Sequence, residues 1–562
     1  MITDKKHIQQ LASLLLQKGI TDVVISPGSR NAPLINQFFG LKAFSCLNIV
    51  DERSAGYVAL GIALAKKKPV AVVCTSGTAA INYGPAIAEA FYQKIPLVIL
   101  TADRPLRWVD QADGQTVRQQ NLFVNHSLKS INLQETERDD DFRYNNLQIN
   151  EVLNLVLSNN PGPVHINIPL NEPLYGFSDE ELPKFRNIES YSVNFQLSSG
   201  ELGKLAEKWN ESTRKMVIVG QLSPDQQISE QVQKLAEDPG TVVLAEHLTN
   251  LSGEHLVAAT DLAVAGISPD EKARFQPDIL LTFGKQIVSK RLKLFVRANQ
   301  PGEHWHVSAA VEHTDTYDSL TRVISSDVFS FLNDFVPEVK NTESNYRKIW
   351  KSAEQKAIKL QDKFLNEAPF CDLTACKTIA ENIPENSVLH LGNSSPVRLI
   401  QMFATTQGCE YFGNRGTSGI DGSLSTSVGF ARSSVKINTI VLGELSFFYD
   451  SNALWIQHFP ENLRIIVLNN GGGNIFRLIG GPTQSPALNE HFVAQHNLKA
   501  EGLAKAFDIN YLKAKNQDEL SKGLSTIFAP GFSGPVILEV MTYGELSAKV
   551  FQECFENLKT KI

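Results

Sequence analysis

NTIVLGELSFFYDSNALWIQHFPENLRIIVLNNGGGNIF, Asn438–Phe476, decides how this chain folds. Two apolar runs, Asn438–Leu442 and Leu463–Leu468, each stop on polar residues and glycine. Runs of this length with no polar alternation suit strands buried on both faces, the pattern of a parallel sheet covered by helices. The segment between them is long enough for a crossover helix, which the sequence places around Asn452–His458. The strand ends then carry Gly443-Glu444 and Asn469-Asn470-Gly471-Gly472-Gly473 to one edge of the sheet. Open parallel sheets bind ligands at that carboxyl edge, so its residues are the ones to read for chemistry.

The same pattern extends in both directions. DVVISPGS, PVAVVCTSGTAA, PLVILTADRP and PVHINIPLNEP form a first set of runs, and KMVIVGQLSP, TVVLAEHL, DILLTFGK and EHWHVSA a second. SVLHLGNSSP, NTIVLGE, RIIVLNN and GPVILEVM form a third. The fold class is α/β, with three open, doubly wound parallel-sheet domains expected at residues 1–180, 195–340 and 355–562. A charged, helix-prone stretch near Asn341–Asn366 connects the second to the third. With 562 residues and 42% hydrophobic composition, the chain is too long for a single core.

Composition excludes more than it assigns. A net charge of −7 without a Lys/Arg-rich run argues against nucleic acid or an anionic membrane as partner. No apolar run reaches the ~18 residues that span a bilayer, and the N-terminus reads as an amphipathic helix that opens a folded domain. The six cysteines are scattered, and Cys371 with Cys376 lacks a second pair at metal-ligand spacing. Reduced thiols in a cytoplasmic protein are the expectation.

If the two strands of the opening stretch are neighbours, Glu444 and Asn470 emerge side by side. A carboxylate, an amide oxygen and a glycine-turn carbonyl are hard oxygen ligands of the kind Mg²⁺ takes, completed by water and phosphate. The glycines let the backbone approach a diphosphate. The same residues also suit a helix-start carboxylate and a plain turn. A second carboxylate, Glu52 in VDERSAGYVALGIALAKK, stands at a strand end before a small-residue helix, where it is a candidate acid–base group or a helix-start acid beside Arg53. No strand–Gly-x-Gly-x-x-Gly–helix fingerprint supports a dinucleotide-dependent reductase or a nucleotide-binding protein.

Order and spacing add a resemblance. Glu444 and Asn470 lie 26 residues apart, a separation and order that resemble the thiamine diphosphate motif, in which Gly-Asp-Gly precedes Asn-Asn by a βα unit, although Glu444 and Leu445 replace that motif's aspartate and second glycine. SPGSRNAPL, DERSAGYVALG, TSGTAA, LTADRP, SKRL, GNSSPVR, NRGTSGIDG and LNNGGGNIF fall in order along the chain. Together they resemble the 2-succinyl-5-enolpyruvyl-6-hydroxy-3-cyclohexene-1-carboxylate synthases of menaquinone biosynthesis. The resemblance implies a pyrimidine-binding first domain, a central α/β domain and a diphosphate-binding third domain.

The activity it implies is that of a transferase of the transketolase or acyl-transfer type. It decarboxylates 2-oxoglutarate with thiamine diphosphate and Mg²⁺ or Mn²⁺, then adds the succinyl carbanion equivalent to isochorismate. Glu52 would activate the cofactor and Gln115 would contact the reacting adduct. Glu444, Asn470 and the Gly472 carbonyl would hold the metal. Ile420, Gly443, Ile475 and Phe476 would complete the cofactor site. Both substrates are polyanions, which arginine meets with two parallel hydrogen bonds. Ser29, Arg30, Arg104, Lys290, Arg291, Ser394, Arg398 and Arg415 would bind them, with Ser394 and Arg398 on one face of a short helix. A homodimer or homotetramer with intersubunit active sites is implied. Another thiamine carboligase, of acetolactate-synthase type with a flavin in the middle domain, is the alternative.

Overall fold

The Val/Ile-rich runs become strands because each can bury both faces under helices. The structure, a computed structural model, describes residues 1–136, 138–191 and 195–561; Ile562, the end of the expected third domain, lies outside them. The first sheet runs Ser45–Asn48, Asp22–Ile25, Val70–Cys74, Leu97–Asp103, Val164–Pro169 and Ser130–Asn132, all parallel. The second runs Leu256–Val257, Thr241–Ala245, Lys215–Val219, Ile279–Phe283, Glu303–Ser308 and Arg322–Ser325, also parallel. The third runs Glu410–Phe412, Val388–Leu391, Asn438–Gly443, Leu463–Asn469, Val536–Met541 and Asn510–Ala514. Numbered along the chain within each sheet, the first and third share the order 2-1-3-4-6-5, while the second has 3-2-1-4-5-6.

The first sheet forms one compact unit together with Asn414–Asn438 and Ser446–Leu463, segments drawn from the sequence range 355–562. Here the helices Glu52–Lys66 and Ser423–Ala431 touch backbone to backbone. A Cβ on Gly61 would lie 2.0 Å from the Thr426 carbonyl oxygen, and one on Gly429 2.0 Å from that of Val58. Only glycine permits this approach. The second and third sheets form the other unit, joined in sequence by the helix Tyr346–Leu365, the expected connector.

Two expectations need correction. The helix between the strands of the opening stretch is not at Asn452–His458 but at Glu444–Tyr449, starting on Glu444 itself, followed by a 3-10 turn at Ser451–Trp455. Asp450 ends it by accepting hydrogen bonds from the Ser425 N–H (2.7 Å) and hydroxyl (2.6 Å), and His458 sits at φ +55° just before Pro460, where an α-helix cannot continue. The outer strands also went unread. Arg322–Ser325 and Asn510–Ala514 are half-exposed edges without an apolar run.

In the second sheet, the crevice expected where strand order reverses is filled by main chain. A Cβ on Gly220 would meet the Lys285 carbonyl at 1.7 Å, and the Gly220 N–H donates to the Phe283 carbonyl at 2.8 Å.

Candidate active site

The metal end lies in the unit of the second and third sheets. The strands Asn438–Gly443 and Leu463–Asn469 are neighbours, so Glu444 and Asn470 do emerge together. Glu444 is 2% exposed; its Oε1 accepts from the Gly472 N–H at 2.7 Å and faces His496 Nε2 at 3.3 Å. Its longer arm therefore folds back onto the glycine turn. Burial pushes the Glu444 carboxyl up, the His496 contact opposes this, and the Asp372 carboxylate adds to the rise. Asn470 donates Nδ2 to Asp372 Oδ2 at 2.8 Å, while its Oδ1 is buried without a hydrogen-bond partner, as is Asn474 Oδ1.

These residues fit a divalent cation. Two near carboxylates raise the cost of ionisation, a buried amide oxygen lacks a donor, and Gly472, at φ +156°, occupies a conformation that frees its neighbourhood of a Cβ. Among the described residues no cluster of three or more His, Cys, Asp or Glu could hold a metal. Gly443 carries open space where a Cβ would stand. Ile475 and Phe476 lie on the 3-10 turn Asn474–Arg477, with the Phe476 ring 5.7 Å from that of Phe492.

In the same unit the structure draws two predicted arginines toward one carboxylate. Asp261 accepts from the Ser289 hydroxyl (2.5 Å) and from Gln401 (3.3 Å). Burial lowers the affinity of both Arg291 and Arg398 for their proton, and Asp261 restores part of it in each. Arg398 donates to the Ser394 carbonyl. Ser394 is not on the helix face but caps the helix Ser395–Ile400 from φ +74°, a strained position for a residue with a Cβ. Arg291 also stacks 3.9 Å over the Phe555 ring and lines a cavity of about 490 Å³ with Lys272 and Lys559. Lys290 is exposed at the start of the helix Lys290–Ala298 and makes no ion pair among the described residues.

The other unit holds the acid–base candidate. Asp51 caps the helix Glu52–Lys66 by accepting from the N–H groups of Arg53 and Ser54, which leaves Glu52 as the first helical residue. Burial raises the Glu52 carboxyl, opposed by a backbone hydrogen bond and helped by Asp51. Glu52 lines a pocket of about 450 Å³ with Asn82, Asn452 and Trp455. Around it Val50, Ile81, Tyr449 and Trp455 are 44–54% exposed.

The loops after neighbouring strands of the first sheet converge as expected. A Cβ on Gly28 would overlap Thr75 at 2.3 Å, and one on Gly77 would lie 3.3 Å from the Gln115 carbonyl. Ser29 shares a hydrogen bond with the Tyr175 hydroxyl at 3.1 Å. Arg30 is buried and bonded to the Leu170 carbonyl (3.0 Å) and Glu172 (3.2 Å); burial raises the Asp103 carboxyl, and Asn167, the Arg104 N–H and Arg30 offset only part of that rise. Arg104 pairs with Asp113 at 3.2 Å. Gln115 is exposed at φ +54°. Arg415 is 5% exposed, whereas Ile420 is 38% exposed on the same loop, whose Asp421 accepts from the Tyr57 hydroxyl at 3.0 Å.

Three supporting carboxylates were not read from the sequence. Glu89, 1% exposed, accepts from the N–H groups of Gly416 and Thr417, the Thr417 hydroxyl and Gln93. Asp450 and Asp372 cap or brace other elements of the site. Each sits inside a helix or at its end with no motif around it, so only the fold exposes its role.

Residues 6–126 match the thiamine pyrophosphate enzyme, N-terminal TPP binding domain, and residues 196–391 match the middle domain of thiamine pyrophosphate enzymes. The chain is 40% identical over 565 residues to the 2-succinyl-5-enolpyruvyl-6-hydroxy-3-cyclohexene-1-carboxylate synthase of Bacteroides thetaiotaomicron, covering 100% of both chains. It is 40% identical to the enzyme of that name from Flavobacterium psychrophilum, covering 98% of each. Its fold matches crystalline benzoylformate decarboxylase from Polynucleobacter necessarius with a TM-score of 0.72 at 17% identity, over 97% of this chain and 99% of that one.

Proposed function

The chain belongs to the family of 2-succinyl-5-enolpyruvyl-6-hydroxy-3-cyclohexene-1-carboxylate synthases, and from that premise we infer that it joins a decarboxylated 2-oxoglutarate to isochorismate, a step of menaquinone biosynthesis. It is a thiamine diphosphate-dependent enzyme. The structural observation that supports the reading best is the buried, partnerless Oδ1 of Asn470 beside Glu444 and the Gly472 turn.

Bound thiamine diphosphate supplies a thiazolium carbon that accepts the electrons released as 2-oxoglutarate loses carbon dioxide. Glu444, Asn470 and the Gly472 carbonyl would hold Mg²⁺ or Mn²⁺ against the diphosphate. Glu52 would hold a proton at N1′ of the aminopyrimidine, a task favoured by a carboxyl that burial has raised. Ile420, left 38% exposed, would brace the cofactor's rings. Ser394 and Arg398 would take a carboxylate of the oxo acid. Arg30, Arg104 and Arg415 would take those of isochorismate, Ser29, Lys290 and Arg291 would add contacts to the anionic substrates, and Gln115 would contact the reacting adduct.

The exposed Val50, Ile81, Tyr449 and Trp455 around Glu52 favour a covering second copy, hence a homodimer or a larger even assembly. The cytoplasm is the compartment this reading assigns, in keeping with six free cysteines. No helix among the described residues is long and apolar enough to cross a membrane.

The test combines purified protein, Mg²⁺, thiamine diphosphate, 2-oxoglutarate and isochorismate, with the adduct followed by mass. Carbon dioxide release without adduct would point to a simple decarboxylase, and adduct from pyruvate to a different carboligase.

A further inference from the structure

Asp372 begins the helix Asp372–Asn382 and is 3% exposed. Its Oδ2 accepts from Asn470 Nδ2 at 2.8 Å, its Oδ1 accepts from the Thr542 hydroxyl, and its own N–H donates to the Ser547 hydroxyl oxygen at 3.0 Å. A primary amide can present either its oxygen or its NH₂ to a neighbour, and the two look alike in shape. A carboxylate whose two oxygens both accept removes that choice. Asn470 must turn its NH₂ to Asp372, and its Oδ1 must then point the other way, where it is buried and meets no donor. Native interiors seldom leave such an oxygen unmatched. Gly544 keeps the space tight, since a Cβ there would lie 3.2 Å from both the Asn470 carbonyl and Asn474 Oδ1.

A helix-start acid could instead serve only its own helix. The adjoining geometry argues otherwise: the helix already has Cys371 as its cap, and the side chain of Asp372 spends both oxygens on residues remote in sequence, Asn470 and Thr542. We propose that Asp372 is a positioning residue, which sets the Asn470 amide so that Oδ1 faces the divalent cation. The proposal rests on the metal reading above. Acting through Asn470, it makes no contact with the ion and takes no part in the chemistry.

Mn²⁺ binding to the full-length protein with saturating thiamine diphosphate, followed by electron paramagnetic resonance of the free ion, tests this without reference to turnover. Asn470→Ala first checks the metal reading, which falls, with the proposal, if that variant binds Mn²⁺ as the parent does. Asp372→Asn should bind roughly 10- to 100-fold more weakly, the usual effect of losing a ligand's orienting partner. Combining Asp372→Asn with Asn470→Asp lets amide and carboxylate trade places, because the new amide can donate and a carboxylate has an oxygen for the ion in either orientation. Affinity should then return to within about threefold of the parent, which a purely structural role would not produce. Weak binding by Asn470→Ala with unchanged binding by Asp372→Asn would overturn the proposal alone. So would a double variant no tighter than Asp372→Asn. Should Asp372→Asn fail to fold, the double variant against the parent decides: recovery supports the proposal and a loss of about tenfold overturns it.

Discussion

Replacing Glu89 should loosen one short piece of backbone and leave most of the molecule unchanged. The Glu89 carboxylate divides its work evenly. Oε1 accepts from the Gly416 N–H at 2.7 Å and from Gln93 at 2.5 Å, and Oε2 accepts from the Thr417 N–H at 2.7 Å and the Thr417 hydroxyl at 2.6 Å. In Glu89→Gln one oxygen becomes an NH₂. Placed at Oε1 it would face the Gly416 N–H and require the Gln93 amide to flip, so the cheaper choice is Oε2, where the Thr417 hydroxyl need only rotate to accept. One buried N–H, that of Thr417, is then orphaned at a cost of about 1–3 kcal/mol. Glu89→Ala orphans the Gly416 N–H as well, for about twice that. Amide hydrogen exchange reads this directly. In the glutamine variant Thr417 should exchange roughly 5- to 150-fold faster with Gly416 little changed, and in the alanine variant both should accelerate. Because the loop carries Arg415, KM for isochorismate should rise more than kcat falls. Unchanged exchange at both amides in Glu89→Ala would refute the clamp, and equal acceleration in Glu89→Gln would refute the division between its oxygens.

Asp450 is raised to about 7 by complete burial, so its stabilising protonated form is full below the ordinary carboxylate pKa and is lost as pH climbs toward 7; Asp450→Asn, which can still bond Ser425, should flatten the urea midpoint between pH 4 and 7. Gly429→Ala places a Cβ against backbone and should lower stability by about 1–3 kcal/mol or more, whereas Gly84→Ala, which meets open space, should not; chemical denaturation compares them. Glu52→Gln should cut turnover by about 10²–10⁴ with an unchanged circular dichroism spectrum, and near-parent turnover would remove Glu52 from its role. Glu444→Ala should need far more Mg²⁺ for half-maximal thiamine diphosphate binding, measured by calorimetry, while an unchanged Mg²⁺ titration would leave it only a turn-shaping part.

The three sheets were legible because their central strands, such as Val70–Cys74 and Leu463–Asn469, are buried on both faces and carry unbroken apolar runs. Edges such as Asn510–Ala514 mix exposed and buried positions, which periodicity does not separate from loop. The strand-end placement of Glu444 and Asn470 was legible because strand ends concentrate polar residues next to glycine. The placement of the helix at Glu444–Tyr449 was not, since it depends on Asp450 meeting Ser425, 25 residues earlier in the chain. Asp372 and Glu89 belong to the same class: each is an unremarkable acid in a helix until folding brings distant amides to it.

The first and third sheets share one strand order. Strands 1 and 3 flank the same gap in each, between Asp22–Ile25 and Val70–Cys74 in one and between Val388–Leu391 and Asn438–Gly443 in the other. A glycine guards each gap, Gly28 against Thr75 and Gly392 against Leu442, where added Cβ atoms would lie 2.3 and 2.8 Å away. A serine and an arginine follow each glycine within a few residues, Ser29 with Arg30 and Ser394 with Arg398. Each gap is thus held shut by the absence of one methyl group, and a comparison of relatives should find both positions kept as glycine, because a Cβ at either would strike the neighbouring strand or the loop that follows it.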